Sequence, residues 1–510
     1  MSPAPIVFKI LNFLTFFLDN PLVSLAKSAN PSNAVLSDNG FFDAEVIGIT
    51  SDSRKVKSGF LFVALQGELI DGNDYITDAI EAGAIAVLYL ENTLPHLRKR
   101  SDVFFLLDAN PRQRYAKMLG KFYGLQPQNI VAVTGTNGKS SVVEFTRQIW
   151  QICDQPAASI GTLGLVGPRG SQEIKLTTPD PIDLHRTLST LRKDDVQHVI
   201  IEASSHGLTQ FRLDGIDIKI AAFTNLSREH LDYHGTMDNY FSAKYRLFEE
   251  VLNSNGVAVI NSDDDIAKKI FARMKERNIR IIDFGKNAND IILKNTETLP
   301  DGQRINISVF GGEFSLLLPL IGEFQAMNAL CALAITIASG LDIEPATLSL
   351  LNLQGVKGRM ELAATTPNGS QVFVDYAHTP EALESVLRSL RVHTENKLKI
   401  VFGCGGDRDR GKRQEMGKIA ARFADIVVIT DDNPRSEDAA VIRDQIKLGS
   451  PGAIEIPDRM EAISCTIKGL SSGDVLIIAG KGHEQGQIVG NTIMPFDDSN
   501  IAKSIVWGSA

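Results

Sequence analysis

The sequence predicts an α/β protein of about three domains, and three observations carry that prediction. At 510 residues the chain exceeds what a single core organises. Short apolar runs alternate with helix-patterned stretches, as in largely parallel sheets covered by helices on both faces. One apolar run, Ile130-Val-Ala-Val133, feeds straight into Thr134-Gly-Thr-Asn-Gly-Lys-Ser140 and then into helical spacing at Val142, Val143, Ile149 and Ile152. Strand, glycine-rich turn and helix in that order make a phosphate cradle. The turn and the helix N-terminus offer N–H groups, the lysine pairs with β/γ oxygens, and the serine hydroxyl reaches Mg²⁺. A strict phosphate loop would place glycine at position 133, where this chain has valine.

The first block runs to residue 109. It carries strand patterns at Glu45-Val-Ile-Gly-Ile-Thr50, Phe60-Leu-Phe-Val-Ala64 and Ala84-Ile-Ala-Val-Leu88, with a turn signal at Asp71-Gly72. Before it lies an apolar stretch, Ile6 to Leu18, whose one basic residue, Lys9, sits inside the run. Lacking a basic lead-in, this stretch is expected to form a helix on the first domain rather than an export signal. Asn110-Pro111 marks the expected boundary. The second block, 110–355, opens with a helix over Gln113 to Tyr123 and then the phosphate loop. Strands follow at His198–Glu202, Ile220–Thr224 and Val257–Ile260, then an antiparallel set near 305–318 and a helix over Ala326 to Ser339. The third block, 356–510, alternates again, with strands at Val372–Asp375, Lys397–Phe402, Ile426–Thr430 and Val475–Ala479. Each ends in a polar or glycine-rich loop, and in open α/β sheets ligands bind at such carboxyl ends.

Composition narrows the function. Hydrophobic content of 43% and charged content of 22% are ordinary for a globular protein, and a net charge of −9 argues against nucleic acid as a partner. Cys153, Cys331, Cys404 and Cys465 are scattered, which fits a reduced, cytoplasmic setting and argues against disulfides or a zinc site. No apolar run is long enough to span a membrane.

Several constellations carry chemistry. Glu202 ends a strand across from the phosphate loop, where a carboxylate can reach Mg²⁺ directly or through water. His230 and His234 stand at i, i+4, but Leu231 occupies the glutamate position of a zinc HExxH motif. A histidine near a metal, or a structural one, is the better reading. The loops Gly403-Cys-Gly-Gly-Asp-Arg408 and Gly480-Lys-Gly-His-Glu484 do not complete a dinucleotide fingerprint. Arg408, Arg410, Lys412, Arg413 and Lys481 suggest anion recognition instead. Asp432-Asn-Pro-Arg435 follows a strand end, and its proline turns the chain there.

Taken together these segments resemble the Mur ligases, ATP-dependent amide-forming enzymes of bacterial cell-wall precursor synthesis. The resemblance covers the chain from about Thr50 to the C-terminus. It rests on Asp52-Ser-Arg54, the loop at 135–141, Thr177-Thr-Pro179, Glu202-Ala-Ser-Ser-His206 and His230-Leu-Asp-Tyr-His-Gly235. Further along it rests on Ala243-Lys244, Gly358-Arg-Met-Glu361, Tyr376-Ala-His-Thr-Pro380 and the loops at 403–408 and 480–484. It implies a UDP-binding N-terminal α/β domain, a central P-loop ATPase domain with a mostly parallel sheet, and a C-terminal Rossmann-like domain for the amino acid. The implied substrates are ATP, UDP-N-acetylmuramoyl-L-alanyl-D-glutamate and meso-2,6-diaminopimelate, with Mg²⁺ as cofactor, in a cytoplasmic enzyme that is a monomer.

The resemblance also implies site residues. Gly135, Thr136, Asn137, Gly138, Lys139, Ser140, Ser141 and Asn328 match the ATP site. Ser51 and Ser53, with Glu68 to Ile70 alongside, match the uridine end, and Thr177, Thr178, Ser204, Gln210 and Arg212 match contacts to the muramoyl dipeptide. Arg408, Asp432, Asn433, Pro434, Arg435, Gly480 and Glu484 match the diaminopimelate pocket. Lys139, Lys244, His230 and Glu202 carry the catalytic roles, and Ser140, Glu202, His230 and Lys244 surround the metal, Lys244 as a carbamate formed with CO₂. Four positions depart from the family pattern: Ser140 replaces threonine, Gln325 stands where asparagine is common, Leu176 precedes the threonine pair, and Glu229 replaces aspartate.

The chemistry explains why such parts are needed. A carboxylate is a poor acyl donor until phosphorylation gives it phosphate as a leaving group. Bringing carboxylate and γ-phosphate together requires cations, and water must be kept from the acyl phosphate. Diaminopimelate differs from lysine by a distal carboxylate, and an arginine fork suits that group. Arg435, assisted by Arg408, is expected to clamp it. The alternatives are lysine as acceptor, a folylpolyglutamate synthetase-like ligase, and a nucleotide-switched binding protein. The first is disfavoured by Arg435. The second would not need the Asp432-Asn-Pro-Arg435 stretch, and the third would leave Glu202, His230 and Lys244 without a use.

Overall fold

A computed structural model describes residues 8–9, 45–67, 70–90, 102–299 and 301–508. The chain divides into two compact units. The first comprises residues 1–127, 179–195 and 206–217, and the second comprises 128–178, 196–205 and 218–510.

The first unit is built on a four-stranded parallel sheet in the order Gly48–Thr50, Phe60–Val63, Ala84–Leu90, Phe104–Asp108. The strands are rich in apolar residues because both faces are covered. Ile49, Leu61, Val63 and Leu88 pack with Tyr115, Leu119 and Phe122 of the helix Pro111–Tyr123, while Phe62, Val87 and Tyr89 pack with Ile76 and Ala79 on the other side. Asn110 caps that helix by accepting from the Gln113 N–H at 3.1 Å, and Pro111 occupies its first turn. The boundary signal at Asn110-Pro111 is thus a helix start, and its helix packs on the N-terminal sheet.

The expected N-terminal helix is not what the described residues form. Phe8–Lys9 is a short strand paired antiparallel with Glu45–Val46. Backbone pairing to a neighbouring strand overrides the local apolar run there. The rest of that segment, and Glu68 and Leu69, lie outside the described residues.

The second unit contains an eleven-stranded sheet and a six-stranded sheet. In the larger sheet, Asn129–Thr134 lies between His198–Glu202 and Ile218–Phe223, parallel to both. The chain leaves Asn129–Thr134 for Ala157–Gly161 on one side and later crosses from His198–Glu202 to Ile218–Phe223 on the other, so the order reverses at this strand, and the phosphate loop sits at its carboxyl end. Leu252–Asn261 and Arg280–Gly285 extend the parallel region, and Ile291–Leu299, Gly302–Val309 and Gly312–Leu318 close it as an antiparallel set. The helices Lys139–Ile152 and Glu323–Ala338 share one core, with Phe145, Ile149 and Trp150 beside Ala329, Leu330 and Leu333.

The smaller sheet runs Glu361–Thr365, Gln371–Asp375, Val475–Ala479, Leu398–Phe402, Ile426–Ile429, Ile454–Glu455. All neighbours after the first pair are parallel. Val475–Ala479, buried throughout, forms its centre and delivers the 480–484 loop at its carboxyl end. A separate hairpin, Gly486–Val489 with Thr492–Pro495, follows that loop. No helix among the described residues is long and apolar enough to cross a membrane.

Candidate active site

Three adjoining cavities lie in the second unit, two of them lined by the phosphate loop and the third sharing a wall with one of those. The central one, about 190 Å³, is lined by Lys139, Ser140, Glu202, His230, Lys244 and Arg359 among others. Gly138 takes φ +86, and a Cβ there would lie 2.4 Å from Asn328 Oδ1, so only glycine turns the chain into the helix this close to its neighbour. No side chain caps the helix Lys139–Ile152, which leaves its first N–H groups for an anion. The loop is braced from below. Thr136 N and Asn137 N donate to Asn225 O and Oδ1 at 2.8 and 2.9 Å, and Thr224 Oγ1 donates to Asn137 O at 2.7 Å. Val133, the departure from the strict loop pattern, is simply a buried strand residue paired with Glu202.

Lys139 Nζ folds back to donate to Gly135 O and Thr136 O at 2.9 and 2.7 Å. Lys244, buried on the helix Met237–Arg246, donates to the same Gly135 O at 2.7 Å and lies 4.5 Å from the Tyr240 ring. Two ammonium groups cannot share one carbonyl without cost. Burial first, and the charge of Lys139 second, hold the Lys244 amine well below the usual lysine range. Burial also lowers Lys139, opposed by Glu229 and Glu202.

Glu202 accepts from Thr162 N at 2.8 Å through Oε1 and from Thr162 Oγ1 at 3.0 Å through Oε2. Thr177 meets Thr162 at 3.2 Å, and Thr178 donates to Glu202 O at 2.7 Å and lies 3.0 Å from Ser204 Oγ. These hydroxyls form one polar wall. Thr177 and Ser204 face the cavity, while Thr178 is a buried brace behind it.

Mg²⁺ fits part of this set. The Glu202 carboxylate and the Ser140 hydroxyl are hard oxygen donors, and no three His, Cys, Asp or Glu side chains converge among the described residues. That sparse set suits a cation whose shell is completed by phosphate oxygens and water. His230, lowered to about 4 chiefly by burial, is a neutral imidazole better placed to hold a water than the cation itself. Lys244 fits only as an anionic carbamate, and its neutral amine is the form that takes up CO₂.

A second cavity, about 350 Å³, opens on the other side of the loop between Asn137, Phe284, Phe324 and Asn328. Asn328 Nδ2 donates to Gln325 Oε1 at 3.0 Å, so the unusual Gln325 orients the asparagine expected at the base.

The third cavity, about 240 Å³, is lined by Arg408, Asp432, Asn433, Arg435, Gly480 and Glu484, which the sequence expectation grouped together. Pro434 stands outside the lining. Side chains of both charges line it, which suits a substrate with two ammonium and two carboxylate groups. Asn433 Nδ2 donates to Glu484 Oε2 at 2.8 Å, and buried Lys481 donates to Asn433 Oδ1 at 3.0 Å. The expected anion-binding cluster is therefore divided. Arg408 and Lys412 line the cavity, but Arg413 and Arg410 are paired with Glu437 at 2.9 and 3.2 Å, and Lys481 is paired internally.

Several residues that no site assignment from sequence included line these cavities. Arg359 donates to Ser140 Oγ at 3.0 Å and stacks 4.3 Å over Tyr376, lining both the phosphate and the nucleotide cavities. Glu229 and His378 line both the phosphate and the third cavity and meet at 2.7 Å. Burial opposes charge on Glu229, yet the His378 hydrogen bond and the nearby cations hold its carboxyl well below the usual range. Arg228 reaches Asp409 at 3.1 Å on the rim. The sequence signal for Arg359 was its motif, Gly358-Arg-Met-Glu361. For Glu229 it was the departure from aspartate, which gives the longer reach to His378.

The first unit holds its own cavity, about 410 Å³, lined by Ser51, Asp52, Arg112, Arg186, Gln210 and Arg212 among others. Ser51, Gln210 and Arg212 are thus gathered as expected, whereas Ser53 opens the short 3₁₀ turn Ser53–Lys55 instead of lining the cavity.

Comparison with known proteins matches three family models in chain order. They are the Mur ligase family catalytic domain at residues 45–122, the Mur ligase middle domain at 133–336 and the Mur ligase glutamate ligase domain at 358–482. A relative from Zymomonas mobilis, UDP-N-acetylmuramoyl-L-alanyl-D-glutamate–2,6-diaminopimelate ligase, is 48% identical, over 91% of this chain and 95% of its own. One of the same name from Agrobacterium fabrum is 45% identical over 90% and 93%. A solved structure of that name superposes with TM-score 0.66 at 35% identity, covering 90% of this chain and 94% of its own. MurF ligase from Thermotoga maritima in complex with ADP shares the fold at TM-score 0.60 and 19% identity, covering 84% of this chain and 93% of its own. With the matched models spanning most of its length, this chain belongs to the Mur ligase family.

Proposed function

We propose that this chain is an ATP-dependent ligase that adds meso-2,6-diaminopimelate to the D-glutamyl γ-carboxylate of UDP-N-acetylmuramoyl-L-alanyl-D-glutamate, a step of peptidoglycan precursor synthesis. The observation that carries this reading is the shared wall of Glu229, His230, Tyr376 and His378 between the phosphate cavity and the cavity of mixed charge. An acyl phosphate formed on one side of that wall would be open to an amine held on the other. The names of the relatives support the same reaction.

In this reading the three domains are 1–109, 110–355 and 356–510, and the protein is a cytoplasmic monomer. Gly135, Thr136, Asn137, Gly138 and Ser141 cradle the ATP phosphates, and Asn328 reads the base. Lys139 swings from its loop carbonyls to the β/γ oxygens, and Arg359 neutralises the γ-phosphate. Thr177 and Ser204 orient the acyl group, and Thr178 braces them from behind. Ser51, Gln210 and Arg212 hold the UDP-muramoyl portion. Ser140, Glu202, the Lys244 carbamate and His230 through water would hold Mg²⁺, which when bound screens the phosphate charge.

The γ-carboxylate oxygen attacks the γ-phosphorus, and ADP leaves. The acceptor amine then attacks the acyl carbon, phosphate leaves, and the amine proton passes to solvent or a nearby base. Arg435 and Arg408 clamp the distal carboxylate of the acceptor while Asp432, Asn433 and Glu484 receive its ammonium. Phosphate release measured with each acceptor tests this: it requires ATP, the UDP-linked dipeptide and meso-diaminopimelate together. Equal turnover with L-lysine would refute the acceptor assignment.

A further inference from the structure

The hairpin Gly486–Val489/Thr492–Pro495 belongs to neither large sheet. Its outer strand is exposed throughout, so burial of that strand does not explain its position. Its inner strand instead hydrogen-bonds along the loop that carries the mixed-charge cavity. Gln487, only 8% exposed, donates from Nε2 to Asp432 O at 2.8 Å, and Ile488 N donates to Asn433 Oδ1 at 2.9 Å. Arg435 N donates to Ile488 O at 3.1 Å, and Gly490 N donates to Arg435 O at 2.8 Å. Arg435 pairs with Val489 as an isolated parallel bridge, which ties the loop to the hairpin.

This clamp holds an unfavourable backbone. Arg435 sits at φ +53, a left-handed conformation that a non-glycine residue adopts only when its surroundings impose it. From that backbone the guanidinium crosses the glycine loop and donates from Nη1 to Gly406 O at 2.7 Å. Gly405 leaves it room: a Cβ there would lie 2.7 Å from Arg435 Nη1. The hairpin thus sets the start of the side chain, and Gly405 sets where it can end.

We propose that the hairpin, through Gln487, Ile488 and Gly490, together with Gly405, is a positioning element that fixes Arg435 and thereby sets selectivity for an acceptor amino acid with a distal carboxylate. This rests on Arg435 being the clamp for that carboxylate. None of the hairpin residues touches the reacting atoms. They act by keeping one guanidinium in one place, so their loss lowers affinity for the acceptor and leaves the nucleotide half of the reaction alone.

The test is steady-state phosphate release by the full chain carrying Gln487→Ala, Gly405→Ala or Arg435→Ala, with meso-diaminopimelate or L-lysine as acceptor. Loss of one aligned charge-assisted contact predicts KM for meso-diaminopimelate about tenfold higher in Gln487→Ala and Gly405→Ala. In both, KM for ATP stays within about twofold and the preference over lysine shrinks. If Arg435→Ala loses the preference while Gln487→Ala and Gly405→Ala keep it, the proposal is overturned and the clamp stands. If none of the three changes it, the clamp itself is wrong and the proposal falls with it. Equal losses with both acceptors and a raised KM for ATP would mark a merely structural hairpin and overturn the proposal as well. Gly405→Ala displaces only the end of a flexible side chain, so it remains informative if Gln487→Ala folds poorly.

Discussion

Replacing Arg359 with alanine removes a side chain that touches Ser140, stacks on Tyr376 and faces both the nucleotide and the phosphate cavities. A charge-assisted hydrogen bond contributes about 1.5–3 kcal/mol, and a partly desolvated cation–π contact about 0.5–2 kcal/mol. Together these give roughly 2–5 kcal/mol, which at about 1.4 kcal/mol per tenfold is a thirty- to several-thousand-fold loss. The loss is expected in kcat, because the developing charge on the transferred phosphoryl group is what the guanidinium meets. ATP binding, read by calorimetry, should weaken far less. Arg359→Lys should recover only part of the rate, since lysine keeps the charge but cannot form the planar fork that stacks and donates together. Steady-state ADP formation within about threefold of the native chain in Arg359→Ala would refute this reasoning.

Two further predictions concern Lys244 and His185. Lys244→Ala should abolish turnover, and a small carboxylate such as formate should restore part of it, because the proposed carbamate acts only as a buried anionic oxygen. ¹³CO₂ supplied to the native chain should give a carbamate resonance that the variant lacks, and its absence from active native protein would count against the modification. The fold should also lose stability in acid through His185. Burial first, opposed by its contact with Asp214 O at 3.1 Å, lowers this histidine from 6.5 to about 4. Between those values the unfolded chain binds the proton and the folded chain does not, so stability falls as pH drops from about 6.5 to 4. His185→Gln keeps a donor for that carbonyl, so its melting temperature should decline less steeply over this window. Parallel profiles for the two proteins would contradict the assignment.

What was legible in the sequence was local. The strand before the phosphate loop, the loop and the helix after it are specified by contiguous residues, and each formed within a residue or two of expectation. The same holds for the acceptor loop, whose Asp432, Asn433 and Arg435 lie together because they are neighbours in sequence. What failed depended on distant partners. Arg413 and Lys481 read as free cations until Glu437 and Glu484 neutralised them. Arg359 and Ser140 lie 219 positions apart, and His378 and Glu229 lie 149 apart, so their pairing has no signature in spacing. At Phe8–Lys9, strand pairing displaced an expected helix for the same reason.

Isotope transfer tests the central claim most directly. With ¹⁸O in the D-glutamyl γ-carboxylate of the UDP-linked dipeptide, an acyl phosphate intermediate hands one labelled oxygen to phosphate in every turnover that forms the amide. Mass analysis of the released phosphate should therefore find a single ¹⁸O. Unlabelled phosphate accompanying amide formation would show that the terminal phosphoryl group of ATP never reaches the substrate acid.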